Sequence, residues 1–235
     1  MKKFCSYILP LLAVLAASCK KDNFDPPAAR LHGRLVYQGE GIQVEYNQVP
    51  FQLYQFGFGK VGPVSNTQFT QDGSFSVLLF EGEYKLTVPN GQGPFLWKKQ
   101  ANGRPDSITV RMSGDQQLDL EVTPFYMIRN VQASAAANKV TATFGLEKIV
   151  NGVDGKNIER VNLYINKTAF VSSGGDYSIA SSQKGSGAIT DPASISMEVN
   201  IPALVPAQSY IFARVGLKMQ GVEDMIFSPV IKITL

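Results

Sequence analysis

The sequence predicts an all-β chain folded as two consecutive β-sandwich domains, and three observations predict it. Apolar residues recur with period two along run after run, as at Leu31, Gly33, Leu35 and Tyr37, which is the spacing of a half-buried strand. Short glycine-bearing signals, Asp72-Gly73 and Glu81-Gly82, separate successive runs, and glycine supplies the positive φ that tight β-turns need. Beyond the first twenty or so residues, no stretch of about 11 or more carries a helical stripe.

The amino end is of a different kind. Lys2 and Lys3 are followed by an apolar stretch from Tyr7 to Ala17 and by the small residues Ala16, Ala17 and Ser18 before Cys19, the three parts of an export signal. The apolar run is shorter than the roughly 20 residues a membrane-spanning helix needs, and Pro10 interrupts it. Leu15-Ala16-Ala17-Ser18-Cys19 resembles a bacterial lipobox, with its leucine one position further upstream than usual, which implies cleavage before Cys19 and lipidation of that cysteine. Two or three acyl chains, at about 0.8 kcal/mol per buried methylene, hold a protein stably on a membrane.

Residues 1–18 are thus read as signal peptide and 19–28 as a lipidated flexible tether. Lys20 to Pro27 is too charged and proline-rich to bury an apolar core. Acidic residues close behind a lipidated cysteine resemble an outer-surface export signal of Bacteroidetes lipoproteins, and Asp22 and Asp25 stand there; a plain solvated spacer is the other reading. With Cys5 lost and Cys19 lipidated, no pair remains to form a disulfide. One histidine, His32, and no free thiol leave no metal or cofactor constellation, and His32 is read as structural. Lysines and arginines number 22 against 19 acids, and loss of Lys2 and Lys3 brings the chain close to neutrality, which excludes a nucleic-acid face.

The strands follow in order. After the run from Leu31 come Phe51 and Leu53, then Phe75, Val77 and Leu79, then Tyr84, Leu86 and Val88, and finally Ile108 to Met112 and Leu118 to Val122. A boundary falls at Thr123-Pro124, giving domains at 29–123 and 124–235 with almost no linker, so the two are expected to touch. In the second domain Phe144, Leu146, Val161, Leu163, Ile165, Ile211, Ala213, Val215, Ile231 and Ile233 supply the inward faces. Ser172 to Gly175 and Ser181 to Gly187, small and polar, read as mobile loop.

Two resemblances sharpen the fold. Leu204, Pro206 and Tyr210 have the spacing of a tyrosine corner, so the second domain resembles fibronectin type III and immunoglobulin-like sandwiches. Gly33-Arg34-Leu35-Val36, Asp72-Gly73-Ser74-Phe75 and Gly82-Glu83-Tyr84-Lys85-Leu86 resemble transthyretin-like modules related to carboxypeptidase regulatory domains. Together with the junction Val122 to Arg129, the whole resembles a family of uncharacterised Bacteroidetes outer-membrane lipoproteins, often encoded beside SusC-like and SusD-like pairs. That resemblance implies an accessory role in polysaccharide uptake at the cell exterior, with a glycan or a SusC/SusD-like complex as partner. It supplies no site residues.

Sugars are held by aromatic rings stacked on their apolar faces. The richest candidate is the segment Asn90 to Arg104, which sets Phe95 and the only tryptophan, Trp97, among amides, glycines and bases. A second group is Tyr54, Phe56 and Phe58, alternate residues on one strand face. For both, the competing reading is packing between the domains or over the open end of a sheet.

Catalysis is not expected. The acid pairs Glu81 with Glu83, Asp115 with Asp119, and Glu223 with Asp224 sit at turns or strand ends where charge serves solubility, and no nucleophile motif accompanies His32. Asp106-Ser107-Ile108 resembles a Bacteroidetes O-glycosylation acceptor at Ser107, and Asn166-Lys167-Thr168 fits the N-glycosylation pattern, a pathway not expected here. The function expected is a non-catalytic surface binding protein; the alternative is a structural or adhesive, fimbrial-type subunit built to present sheet edges.

Overall fold

A computed structural model describes residues 25–55 and 62–235, with backbone alone for Ser65 and Asn66. The signal peptide, Cys19, most of the tether, Phe56 and Phe58 lie outside the described residues.

The first half carries β1 (Ala29–Tyr37), β2 (Glu40–Gly41), β3 (Gln43–Val44), β4 (Pro50–Gln55), β5 (Ser65–Gln68), β6 (Ser74–Leu79), β7 (Gly82–Thr87), β8 (Phe95–Leu96), β9 (Ile108–Met112), β10 (Gln116–Gln117), β11 (Leu120–Glu121) and β12 (Thr123–Pro124). The second carries β13 (Tyr126–Ala136), β14 (Lys139–Lys148), β15 (Ile158–Asn166), β16 (Ala180–Gly185), β17 (Ile195–Asn200), β18 (Tyr210–Met219), β19 (Ile226–Phe227) and β20 (Ile231–Thr234). The chain is all-β, as its period-two patterning dictates; helix among the described residues is limited to three single turns.

In the first half, β1 lies between antiparallel β6 and the short parallel strands β10 and β11, facing the meander β5-β4-β7-β9. Between them Phe51, Phe69 and Phe75 meet ring to ring at 4.8 to 5.8 Å. Because β10 and β11 are so short, the parallel ladder along β1 is incomplete. Carboxylates complete it: Asp115, Asp119 and Glu121 accept the backbone N–H groups of Arg30, Arg34 and Gln38, one every fourth residue. Asp115 and Asp119 therefore finish a sheet, and Glu83 pairs with exposed Arg111 at 3.0 Å. Gly33 lets β1 approach this segment, for a Cβ there would lie 1.9 Å from the Leu118 carbonyl oxygen.

The second half packs β13-β14-β17 against β16-β15-β18-β19, with β20 beside β18. The expected inward residues are buried, apart from half-buried Ile231. One expectation fails. Ser181 to Gly185 is no loop but most of β16, paired with β15 from Arg160 to Ile165; its polar residues mark an exposed edge strand, which needs no apolar side chains on its open face. Tyr210 is held by its ring: it packs edge-on against Phe212 at 5.6 Å beneath the Lys232 ammonium at 4.2 Å, while Gln208 donates to the Lys167 and Tyr210 carbonyls at the corner.

Candidate functional site

The two halves are joined more intimately than a bare linker implies. Strand β3 leaves the first half and pairs with β19, so it becomes the outermost strand of the second half's larger sheet. Beside it Arg214, 1% exposed, donates to four backbone carbonyls: Ser228 at 2.9 Å and Val171 at 3.0 Å in its own half, and Val44 at 3.1 Å and Gln71 at 2.6 Å across the seam. Its guanidinium lies 4.3 Å from the Phe227 ring centroid. Burial lowers its pKa to about 9, against the pull of Glu45 and Asp72, so it stays charged at neutral pH. Gln71 adds a paired contact of its own, donating to the Ala169 carbonyl at 2.7 Å and accepting from the Val171 N–H at 3.2 Å.

Asp224 is a second pin. Expected at the surface, it is 4% exposed, and it accepts the Gly93 N–H at 2.7 Å from across the seam. Burial pushes its carboxyl above the ordinary range; the Gly93 bond opposes this and Glu223 adds to it. A carboxyl whose folded pKa exceeds its unfolded one stabilises fully below the unfolded value and loses that contribution as pH rises through the folded pKa. Asp224→Asn keeps an acceptor for Gly93 and removes the buried charge. Its Tm at pH 7 is expected to exceed the parent's by about 2 °C, with the gain vanishing near pH 3.8; a lower Tm at pH 7 would refute this.

Among the described residues, two hollows along this seam are lined by aromatic rings. The first, about 280 Å³, lies where the chain leaves β3 and meets the segment after β15. Tyr46 contacts Phe170 at 5.2 Å and Tyr177 at 5.0 Å between ring centroids, one ring from the first half against two from the second. Phe170 is 48% exposed and the tyrosines are half-buried, so apolar ring surface is offered to solvent. Polar groups stand alongside: Glu45 accepts from the hydroxyls of Ser172, at 3.3 Å, and Ser173, and Gln48 borders the hollow. Tyr164 lies below, donating to the Met225 sulfur at 3.8 Å; burial, reinforced by Glu45, pushes its pKa up to about 12. Ser172 to Gly175, expected to be mobile, is fixed here. Val171 is fully buried, the Ser172 N–H donates to the Tyr177 carbonyl, and the Tyr177 N–H donates to the Gly174 carbonyl.

The second hollow, about 180 Å³, holds the segment singled out in the sequence. Phe95 and Trp97 line it but are 4% and 8% exposed, and the indole N–H donates to the Asp106 carbonyl at 2.8 Å. Trp97 is thus a wall and not a free platform, because the segment folds back into a hairpin. The Asp106 N–H donates to the Lys98 carbonyl, Lys99 bridges Pro105, and the Gln100 N–H donates to the Arg104 carbonyl. Around the apolar wall stand Lys98 and Lys99 from this hairpin and Lys156 from the other half.

The remaining candidates line neither hollow. Tyr54 sits on β4, its hydroxyl donating to Gln52 at 2.9 Å, and does not line the hollow beside Trp97. Ser107 is half-buried, its N–H donating to the Asp106 carboxylate at 2.8 Å. Asn166, 4% exposed, donates to the Phe170 carbonyl at 2.6 Å, which turns its amide inward. Sequence reasoning missed Tyr46, Phe170 and Tyr177. Their only signal was two aromatics flanking the small polar run Ser172 to Asp176, and nothing local paired them with Tyr46.

Comparison with known proteins fits this arrangement. Residues 29–123 match the model of a protein of unknown function (DUF3823) N-terminal domain, and 126–232 that of its C-terminal partner, a domain of unknown function (DUF3823_C). The chain belongs to the DUF3823 family. A family member from Parabacteroides merdae is 34% identical, with 89% of this chain and 100% of that one aligned and a TM-score of 0.75. One from Bacteroides ovatus is 32% identical over 88% and 99%, with a TM-score of 0.73. A Bacteroides uniformis protein provisionally described as carbohydrate binding shares the fold at 18% identity, covering 89% and 100% with a TM-score of 0.67. No curated protein matches the chain.

Proposed function

We propose that this DUF3823 protein is a non-catalytic lipoprotein, anchored through Cys19 to the outer face of the outer membrane, that holds glycan for a polysaccharide uptake system. In this reading the first half is transthyretin-like, the second fibronectin type III-like, and a SusC/SusD-like pair is the partner toward which ligand is released. The observation that carries the binding role is the ring group Tyr46, Phe170 and Tyr177. It sets the exposed Phe170 ring beside a hollow lined by Tyr46, Tyr177, hydroxyls, a carboxylate and an amide, the combination that stacks on a sugar's apolar face and bonds its hydroxyls. The walls come from both halves of a seam tied by the β3–β19 pairing and by the Arg214 and Gln71 hydrogen bonds, and walls held in place lower the ordering cost of binding.

The test is retention of residues 28–235 on a panel of plant, host and microbial polysaccharides. One glycan is expected to retain the parent, and the double substitution Phe170→Ala with Tyr177→Ala to weaken retention tenfold or more, at roughly 1 to 3 kcal/mol for a lost stacking contact. Because Phe170 is half exposed, the variant's Tm should stay close to the parent's. Unchanged retention in the double variant would place the site outside this hollow, and retention on no glycan would favour the structural reading, which relies on sheet edges.

A further inference from the structure

The hollow beside Trp97 has a chemistry of its own. Its wall is aromatic, from Phe95, Trp97 and Phe125, while its charged lining is three lysines, Lys98, Lys99 and Lys156, against one aspartate, Asp154. In a chain with nearly balanced charge, this is a local excess of cations. The cations are placed by structure. Lys98 and Lys99 ride on the closed hairpin described above, whereas Lys156 reaches in from the other half, its ammonium 5.7 Å from the Phe125 ring centroid and its own carbonyl fixed by the Tyr126 hydroxyl at 2.9 Å. Two further acids stand behind the lining without entering it, each bonded to a lining residue: Asp224 accepts from the Gly93 N–H and Glu223 from the Gln92 amide at 3.3 Å. Asn90 borders the mouth with an amide of the kind that bonds hydroxyls, and Gln92 keeps its amide oxygen beside it while its N–H is given to Glu223.

We infer that this hollow is a second subsite, for a single carboxylate-bearing sugar ring, so that the glycan bound by the protein is acidic. The inference rests on the glycan-binding reading above and deepens it by naming the class of sugar. The volume of about 180 Å³ suits one pyranose ring and not an extended chain. A uronate presents what this lining complements: an apolar ring face for the aromatic wall, hydroxyls for the amides, and a carboxylate for the lysines. Neutral sugars leave the lysines without a partner, so discrimination comes from charge.

Trp97 makes the test direct, because it is the only tryptophan in the chain and lines the hollow. Its fluorescence is to be followed while residues 28–235 are titrated with digalacturonate, with glucuronate and with their neutral counterparts digalactose and glucose. A saturable change is expected with the acidic probes alone, weakened about tenfold in Lys156→Ala and by raised salt, since the lysines carry it. The double substitution Phe170→Ala with Tyr177→Ala should leave this response intact, which separates the subsite from the ring group: unchanged polysaccharide retention in that variant counts against the first hollow and not the second, and loss of retention with the Trp97 response kept is the result expected of two separate sites. No response to either acidic probe, an equal response to the neutral sugars, or an unaltered response in Lys156→Ala would each overturn the inference.

Discussion

Arg214→Met is expected to cost about 4 kcal/mol or more and to lower Tm by roughly 10 °C, scaling by about 2 to 4 °C per kcal/mol for a chain of this size. Methionine fills much of the arginine's volume but donates nothing, so the Ser228, Val171, Val44 and Gln71 carbonyls lose a donor in a place where the parent side chain is 1% exposed. A desolvated acceptor left without a partner costs about 1 to 3 kcal/mol. Two of the four carbonyls belong to each half, so the loss falls on the seam. Calorimetry should show the parent unfolding in one transition and the variant in two, as the halves melt separately. Arg214→Lys should recover only a minor part, because one ammonium cannot reproduce the planar fork that reaches four carbonyls. A Tm within about 2 °C of the parent and a single transition would show that the seam does not depend on this side chain.

Gly73→Ala is expected to lose about 3 kcal/mol, from two causes that add. Gly73 has φ of +76°, which costs a side-chain-bearing residue roughly 1 kcal/mol, and a Cβ there would sit 2.0 Å from the Ile42 carbonyl oxygen, a backbone atom that cannot turn aside. Gly39 separates the causes: its φ is +82°, but nothing lies within 4 Å of where its Cβ would be. Gly39→Ala should therefore cost only the conformational part, and urea midpoints of the two variants compare them directly. Equal losses would mean that the Ile42 contact relaxes without cost. The turn is also held chemically. Burial pushes the Asp72 carboxyl up, but hydrogen bonds from Thr70 and Ser74 outweigh this and hold its pKa below the ordinary value. Since Gln71 precedes this turn and reaches Arg214, Gly73→Ala and Arg214→Met share a neighbourhood, and their losses should fall short of additive.

These residues show where sequence reading succeeds and where it stops. Asp72-Gly73 was legible as a turn because glycine and aspartate act through their own backbone. The strands around Leu31, Phe51, Phe75, Tyr84, Val110, Leu163 and Val215 were legible because period two records which face is dry. The same rule does not reach Arg214. Alternation along Ala213-Arg214-Val215 puts the arginine on the polar face of β18, which reads as solvent-facing; that face is instead covered by the first half of the chain.

The candidate site divides in the same way. The segment around Trp97 was found because its composition is unusual, yet composition does not reveal that the indole N–H would turn to the Asp106 carbonyl and bury the ring. Tyr46, Phe170 and Tyr177 were invisible as a group, since more than 120 residues separate the first from the others and contacts across the seam, the pairing of β3 with β19 among them, bring them together. Local patterning, set by each residue's own backbone preference and by burial one neighbour at a time, determined that this chain is all-β and where its strands run. The tertiary structure alone decided that the halves share a sheet, that Arg214 is buried between them, and that three rings meet at their seam, because contacts between segments distant in the chain leave no period in the sequence.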